Sequence, residues 1–567
     1  MEFLDMAVQL LLCTPRTCLS GANVNWSTYI FRKESVLELA LLSARIFTAN
    51  PDQPWAEAMI IKGNKILAVG RNDEIKGLCG KDTEIMELPG RLVTPGLVDT
   101  HCHFILFGLS LQMVSLSGLT SLEACREKIK LVVASRKPGE WIFGRGWNQY
   151  LWKETEQPTR FDLDDITPNN PVMLSRADGH SVWVNSLVIS RANIDRHTPD
   201  PPRGEIVRDP DSGEPTGIFR EAANVLVRQQ VPERSLGNWK EGALAAQEDA
   251  LSCGITGVHS CESLQQWEIL KGLEEEGRLK VRVLVLPFYR EIDELVSRNI
   301  KYGQGSERLW FGQAKLFADG TLGSGTALLH EPYTDDPSQT GIEASPPSVL
   351  AEGITQAYRH GWDVAIHAIG DKGITNALEA ISVARKVNNI AENNHKKDRL
   401  EHVQLIRPED LNLFHELGVV ASVQPVFLPT DWSIAEKKWG HERCRYAYAW
   451  KTLLKAGIPL QFGSDAPFDR IKPLNGLQAT VTRQDVKGEP AGGWFPEERL
   501  NLGESIKGFT IEPARTAGKD DVLGSLVPGK LADVTIFEED LFEIEPKNWP
   551  NVEVEMTISD GEIVYQK

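Results

Sequence analysis

The stretch LVTPGLVDTHCH (residues 92–103) combines an apolar run, broken at Pro95–Gly96, with a His-X-His ending. A short apolar run bounded by turn residues is typical of a strand buried on both faces. Residues i and i+2 of a strand point to the same side, so His101 and His103 can both reach one metal ion. A lone His-X-His motif is weak evidence for a metal site. Further ligands must therefore be sought at the ends of other strands.

Seven more apolar runs, each ending in polar residues, follow along the chain. They span residues 254–262, 281–287, 309–320, 362–371, 399–406, 418–425 and 458–467. From residue 254 onward, most of the segments between successive runs are long enough to hold a helix. Eight such strands alternating with helices predict an α/β chain with a (β/α)₈ TIM barrel.

Both ends of the chain have a different texture. Residues 36–94 and 506–567 contain short β-rich runs with turns at Gly63–Asn64 and Asp560–Gly561. This predicts a small β-sandwich domain built from both chain ends, with the barrel occupying residues 95–505. The gap after the first strand is too long for one crossover, which predicts a lid insertion at about residues 105–250. Residues 1–35 are interpreted as a poorly ordered extension.

Composition and charge restrict the classes of partner. The net charge of −18 leaves no excess of basic residues to replace the counterions of a nucleic acid. No apolar run is long enough to span a membrane, and the eight cysteines are scattered, as in a reduced protein. We therefore expect a cytoplasmic protein without nucleic-acid or membrane partners, and a homodimer remains open.

Four further strands carry a residue of metal-ligand type near their C-terminal end, where barrel active sites form. These residues are Lys315, His367, His402 and Asp465. Each has an ordinary alternative: a histidine can be satisfied in the core, and a single Asp can cap a helix. Lys315 is the exception, because an unpaired ammonium in an apolar run is costly to bury. Together with the His-X-His motif, they predict a hydrolytic centre for one or two divalent ions, with zinc favoured.

The motifs also resemble a known family. They are TPGLVDTHCHF (94–104), RADGHSVWVNS (176–186), EPTGIFRE (214–221), KLFADGTLGSGTALL (315–329), AIHAIGD (365–371), EHVQLI (401–406) and GSDAPF (463–468). This pattern resembles amidohydrolase family 3 of the amidohydrolase superfamily, the YtcJ-like group that includes N-substituted formamide deformylases.

The resemblance implies a role for each of the six candidate ligands. His101 and His103 hold a first metal, and His367 and His402 hold a second. Lys315, carbamylated by CO₂, bridges the two metals. Asp465 binds the first metal and transfers protons.

The expected activity is hydrolysis of a C–N bond in a small amide-like substrate, such as an amide, N-formyl or N-acyl amine. His180, in the DGH sequence, is a candidate to stabilise the oxyanion, with a structural role in the insertion as its alternative. Trp147 and Trp183 line the substrate pocket or form core. His259 has two interpretations: it supports a metal ligand from outside the site, or it packs in the core. A deaminase on the same barrel and a signalling protein that retains the hydrolase fold remain the alternative functions.

Overall fold

The structure is a computed structural model that describes residues 38–153, 157–177, 181–202, 204–232, 235–390 and 397–567. The extension predicted for residues 1–35 lies outside these ranges. The chain divides into two compact units: one contains residues 108–245, and the other contains residues 38–107 and 246–567.

The larger unit contains a barrel of eight parallel strands. In chain order these strands are Leu97–Cys102, Ile255–Cys261, Arg282–Leu286, Leu309–Phe311 with Ala314–Phe317, Val364–Ala368, Arg399–His402, Val420–Val423 and Leu460–Phe462. Each strand pairs with the next in parallel. The ring closes where the N–H of His103 donates to the carbonyl of Ala466 at 2.7 Å. The predicted α/β barrel class is confirmed.

The fourth barrel strand differs from the single strand predicted over residues 309–320. It is interrupted at Gly312 and Gln313, between Leu309–Phe311 and Ala314–Phe317. The first half pairs with the third barrel strand and the second half with the fifth. Gly312 lies so close to the third strand that a Cβ there would be 2.1 Å from a side-chain atom of Leu284. The two halves of the fourth strand together therefore connect the third barrel strand to the fifth.

A second layer of the larger unit is built from both ends of the chain. Residues Val534–Phe537 pair antiparallel with Leu92–Pro95, placing Ile536 opposite Val93. The Asp560–Gly561 turn has positive φ at both residues, as a type I′ hairpin requires. This layer has two sheets, one of six strands and one of four, and a buried apolar cluster contains side chains from both. The strands of these sheets are Glu38–Leu42, Arg45–Phe47, Trp55–Ala56, Ala58–Lys62, Lys65–Gly70, Thr83–Glu87, Leu92–Pro95, Val534–Phe537, Val554–Ser559 and Glu562–Gln566.

The smaller unit has its own six-stranded sheet and its own apolar core. Its strands are Val114–Ser115, Ile142–Trp147, Val172–Arg176, Ser181–Val184, Gly204–Arg208 and Pro215–Glu221. Its helices are Leu122–Val133, Phe161–Asp164, Ser186–Arg191 and Asn224–Arg228, with a 3₁₀ turn at Gln149–Leu151.

Helices follow most of the barrel strands, and the helix after the second strand begins with a side-chain cap. The hydroxyl of Ser263 accepts from the N–H of Gln266 in a capping box that starts Leu264–Glu275. Two helices, Phe104–Leu111 and Leu236–Ser252, contain residues of both units. The other helices of the larger unit are Asn72–Leu78, Ile292–Ser297, Pro347–Arg359, Asp371–Val387, Leu411–Glu416, Leu428–Trp439, Trp450–Lys455, Pro473–Thr482, Leu502–Gly508 and Ile511–Thr516. Short 3₁₀ turns are Tyr289–Glu291, Pro408–Asp410, Pro425–Phe427, Arg443–Tyr446, Pro496–Glu498 and Pro546–Asn551. Within the described ranges, no helix has the length and hydropathy needed to cross a membrane.

Candidate metal centre

Three side chains of ligand type meet where the first and eighth barrel strands end. The Nε2 atoms of His101 and His103 each lie 3.5 Å from Oδ1 of Asp465. One ligand atom from each of the three buried residues lies within 4.8 Å of the others. Asp465 adopts a φ of 56°, and its N–H donates to the carbonyl of His101 at 2.7 Å. Two imidazoles and a carboxylate arranged in this way form a donor set suited to zinc.

Two more imidazoles adjoin this group. The ring centroid of His402 lies 4.9 Å from that of His101 and 4.4 Å from that of His367. His402 has a φ of 78°, a region that non-glycine residues seldom occupy. Backbone strain of this kind persists at functional sites, where the surrounding structure holds it. The histidines predicted at the ends of strands five and six therefore lie beside the His-X-His motif.

Three of the imidazoles have an oxygen atom facing one ring nitrogen. Because a carbonyl or carboxylate oxygen only accepts, that nitrogen carries the hydrogen and the other nitrogen keeps its lone pair for a metal. The pairs are His101 Nδ1 with Glu401 Oε2 at 2.5 Å, His402 Nδ1 with Gln424 Oε1 at 2.7 Å, and His367 Nε2 with Gly320 O at 3.0 Å.

Lys315 lies in the same barrel interior without a partner for its charge. Its side chain is buried, and Nζ has no hydrogen-bond partner among the described residues. The nearest aromatic ring recorded for Nζ is that of Phe317, with a centroid 5.2 Å away. An unpaired buried ammonium is strongly unfavourable, so this lysine is not explained by the packing of the barrel.

Burial and the Lys315 charge keep the imidazoles neutral. Burial, reinforced by Lys315, holds the pKa of His101 well below its usual value and lowers the pKa of His367 to about 3. Burial also holds the pKa of His402 well below its usual value, with His367 and His101 adding to the effect. Neutral imidazoles at pH 7 present lone pairs, which is the form that binds metals.

A buried array behind His101 was largely missed by the sequence analysis. Arg399 and Glu401 are both fully buried, and Arg399 Nε lies 2.5 Å from Glu401 Oε1. Arg399 Nη1 lies 2.9 Å from Nδ1 of His259, and Nη2 donates to the carbonyl of Thr100 at 3.0 Å. The period of a strand could have revealed it, because Arg399 and Glu401 share one face while His402 belongs to the other. His259 thus contacts the array as well as the core.

Two further buried carboxylates hold backbone at the ends of the barrel strands. Asp319 accepts from the N–H groups of Leu328, Ile369 and Gly370 at 2.8 to 3.0 Å. It thereby ties the segment after the fourth strand to the end of the fifth. Burial raises the pKa of Asp319 to about 7. No sequence motif distinguished this residue from an ordinary loop aspartate.

Glu262 occupies the corresponding position after the second strand. Its Oε1 accepts from the N–H of Ile105 at 3.0 Å and from the hydroxyl of Ser260 at 2.8 Å. This fixes the chain two residues beyond His103. Glu262 Oε2 and His103 Nδ1 both lack a hydrogen-bond partner within the part of the chain that the structure describes.

The candidates in the smaller unit have different outcomes. His180 lies outside the described residues. Trp147 and Trp183 are fully buried, with ring centroids 6.0 Å apart, in the apolar core of that unit. The indole N–H of Trp147 donates to the carbonyl of Leu174 at 2.9 Å. Both tryptophans therefore lie in the apolar core of this unit, which was one of the two roles expected for them.

Comparison with known proteins places these features in a family. The model of the amidohydrolase family matches residues 84–565. The chain is 36% identical to the protein LONG AFTER FAR-RED 3 of Arabidopsis thaliana over 88% of this chain and 87% of that protein. It is 33% identical to the putative amidohydrolase YtcJ of Bacillus subtilis over 92% of this chain and 98% of that protein. An N-substituted formamide deformylase of Arthrobacter pascens is 26% identical, covering 94% of this chain and 98% of that protein.

A solved structure gives the same result. An uncharacterized metal-dependent hydrolase from Pyrococcus furiosus matches with a TM-score of 0.74 and 32% identity, covering 89% of this chain and 99% of that chain. This chain belongs to the amidohydrolase family, and it is a hydrolase with an α/β fold typical of barrel hydrolases. The family predicted from the sequence motifs is confirmed.

Proposed function

We propose that this protein is a metal-dependent amidohydrolase that hydrolyses a C–N bond other than a peptide bond. The observation that carries the proposal is the convergence of His101, His103 and Asp465 at one end of the barrel. There Asp465 Oδ1, which has no hydrogen-bond partner among the described residues, lies 3.5 Å from both Nε2 atoms. The family and the metal-dependent hydrolase that the chain resembles support it.

The residues present fit a metal centre. Asp465 Oδ1 is buried without a hydrogen-bond partner among the described residues, although two imidazole nitrogens face it at 3.5 Å. Hydrogen-bonded histidines would satisfy that oxygen if their Nε2 atoms carried hydrogen. His101 cannot do so as a neutral ring, because its hydrogen lies on Nδ1 against Glu401. A cation between these atoms resolves the conflict, and His101, His103 and Asp465 would hold it.

A second ion would be held by His367 and His402, and Lys315 would supply a further ligand. In this proposal the Lys315 amine, in its neutral form, adds to CO₂ and loses one proton, giving an N-carboxylate. The reaction replaces a buried ammonium by an anion that cations can share. It removes the electrostatic cost of an unpaired Lys315 in this interior. We propose one or two divalent ions, with zinc as the metal.

A bound divalent ion supplies two effects here: it lowers the pKa of water to about 7, and it polarises the carbonyl of the substrate. The side chains of this protein do the rest. Asp465 accepts the proton from the attacking water and returns it to the leaving nitrogen. We retain His180 as the proposed donor to the developing oxyanion, as part of the same proposal.

We propose an amide, N-formyl amine or N-acyl amine as the substrate. The name of the Arthrobacter relative, an N-substituted formamide deformylase, is the reason to begin with N-formyl amines. The neutral imidazoles and the absence of net positive charge overall do not favour a polyanionic substrate.

The test is metal content by elemental analysis of the purified full-length protein, followed by a screen of N-formyl and N-acyl amines. We expect one to two zinc ions per chain and release of a primary amine. His101→Ala and His367→Ala should each reduce the metal content. Protein that stays metal-free after incubation with zinc, manganese or iron would refute the proposal, as would loaded protein that hydrolyses none of the amides.

A further inference from the structure

We infer that Glu401 is a positioning residue for His101, and that Arg399 and His259 hold Glu401 in place for this purpose. The inference rests on the metal centre proposed above and concerns how that centre is held. Nothing in the His-X-His motif itself sets which nitrogen of His101 faces a metal. A buried array of side chains from the first, second and sixth barrel strands sets it.

The proton positions in this array follow from one fixed group. A guanidinium only donates hydrogen bonds, so Nδ1 of His259, 2.9 Å from Arg399 Nη1, must be the acceptor. His259 is therefore neutral and carries its hydrogen on Nε2. The Thr100 carbonyl accepts from Arg399 Nη2 at 3.0 Å. Arg399 is thus held from two sides by two acceptors, which fixes the plane of its guanidinium.

The same guanidinium also lies against the carboxylate of Glu401. Arg399 Nε lies 2.5 Å from Glu401 Oε1, a charge pair in which both side chains are fully buried. The other carboxylate oxygen, Oε2, lies 2.5 Å from His101 Nδ1. Oε1 of Glu401 therefore lies against the guanidinium, in an ion pair whose geometry is not that of a hydrogen bond, and Oε2 lies against the imidazole. His101 must carry its hydrogen on Nδ1, which leaves the lone pair of Nε2 on the side of Asp465, 3.5 Å away.

The outer partners of the other imidazoles are neutral. His402 faces an amide oxygen, and His367 faces a backbone carbonyl. Among these three, only His101 has a carboxylate oxygen within hydrogen-bond distance, because Asp319 Oδ1 lies 3.7 Å from His367 Nε2. A carboxylate makes an imidazole a stronger ligand and fixes its orientation, and loss of such a partner commonly weakens metal binding about 10- to 100-fold. Stability alone does not call for this array, because apolar side chains stabilise a core as well as a buried ion pair does.

The first experiment compares Glu401→Gln with Asp533→Asn in the full-length protein. Asp533 also forms a buried pair with an arginine, 2.7 Å from Nε of Arg282, but it lies directly before the strand Val534–Phe537 of the sheet built from the chain ends. Zinc affinity is measured by competition with a chelator, and the melting temperature is measured on metal-free protein. We expect Glu401→Gln to bind zinc about 10- to 100-fold more weakly. Asp533→Asn should lower the melting temperature with zinc affinity within about twofold of the wild type.

A second pair of variants tests the array one step farther from His101. His259→Gln offers Arg399 another acceptor, whereas His259→Leu leaves Nη1 without one. We expect the leucine variant to bind zinc several-fold more weakly than the glutamine variant. The absorption spectrum of bound Co²⁺ should shift in His259→Leu and Glu401→Gln only. A change in protein stability alone would not alter that spectrum.

Two results would overturn the inference. One is a zinc affinity and Co²⁺ spectrum in Glu401→Gln equal to those of the wild type. The other, decisive if Glu401→Gln does not fold, is equal zinc affinity in His259→Leu and His259→Gln. A wild-type protein that binds no zinc would overturn the proposed metal centre and this inference with it. That outcome is distinct from zinc bound equally by wild type and variants.

Discussion

The two ends of the barrel differ in whether their buried charged groups have partners. At the start of the third strand, Arg282 pairs with Asp533 at 2.7 Å and with Asp560 at 3.0 Å. On the fourth strand and just after the eighth, Lys315 Nζ and Asp465 Oδ1 have no hydrogen-bond partner among the residues that the structure covers. Both ends are buried, so the difference is not one of solvent access.

This contrast separates charges that stabilise from charges that are reserved for chemistry. A buried ion is tolerated when partners replace its water, as they do around Arg282. Unpaired ligand-type atoms lower stability, and proteins keep them where function requires it. The unpaired end is also the end at which barrel enzymes place their active sites.

The largest expected effect comes from removing the unpaired lysine. Lys315→Ala should lower kcat/KM at least about 1000-fold, which corresponds to about 4 kcal/mol of lost transition-state stabilisation. Short carboxylic acids at millimolar concentration, added with metal, should partly restore turnover, because they replace the proposed N-carboxylate. Lys315→Glu should retain some activity for the same reason.

The matched control for this experiment is Lys438→Ala. Lys438 pairs with Asp335 at 3.7 Å and should be dispensable for turnover. Full activity of a protein whose Lys315 is shown by crystallography or ¹³CO₂ NMR to be unmodified would refute the carbamate. A one-ion site would then replace the two-ion site in the proposal.

At the paired end, the expected effect is on stability. Arg282→Met leaves Asp533 without its cation, while Asp560 keeps its ion pair with Arg308 at 3.1 Å. The variant should lower the free energy of unfolding by about 3–5 kcal/mol, because a buried carboxylate is left unpaired. Turnover per folded molecule should stay unchanged. Urea unfolding measures the first quantity, and assays at low temperature measure the second.

Lys280→Met is the control for Arg282→Met. Its exposed pair with Glu562, at 2.8 Å, should contribute less than about 1 kcal/mol. If both variants lost the same stability, the Arg282 pair would have no special role. The claim that the paired end of the barrel stabilises the fold would then be refuted.

The third prediction is an increase in the free energy of unfolding, where the second was a decrease. In metal-free protein prepared without bicarbonate, Lys315→Met should raise the free energy of unfolding by about 1–3 kcal/mol, because it removes an unpaired buried ammonium. The readout is urea unfolding beside the wild type, with Lys438→Met expected to change little. A loss of stability in Lys315→Met would mean that the lysine has a partner in the folded protein.

The smallest effect is the pH dependence of stability that comes from Asp431, which is not one of the proposed metal ligands. Burial raises the pKa of Asp431 to about 6, although the Tyr448 hydroxyl donates to it at 2.6 Å. The folded pKa lies above the unfolded one, so folding binds a proton between about pH 4 and 6 and stability falls as pH rises through that window. Asp431→Asn lacks this dependence.

Because Asp431 keeps some contact with solvent, the expected change is modest. The stability difference between Asp431→Asn and the wild type should grow by about 1–2 kcal/mol from pH 4 to pH 7. Urea unfolding at these two pH values measures it. A difference that stays constant with pH would show that Asp431 has the same pKa in the folded and unfolded chain.

The sequence by itself determined the barrel class, the family and the side chains at the strand ends. Strand periodicity and turn residues are local properties, so LVTPGLVDTHCH and the seven runs after it could be read without a structure. The position of His101 and His103 on one side of a strand is equally local. The interruption at Gly312–Gln313 escaped prediction, because the close approach of Leu284 that accompanies it depends on the neighbouring strand.

Only the tertiary structure decided which polar atoms are paired and which are not. The two Arg282 pairs join residues 251 and 278 positions apart. The array behind His101 joins the first, second and sixth strands of the barrel. Nothing local distinguishes Glu401, whose Oε2 contacts the ring of His101, from Glu262, whose Oε1 accepts from the N–H of Ile105. Their roles come from the closure of the barrel, because desolvation and hydrogen bonding depend on the atoms that folding brings within about 3 Å.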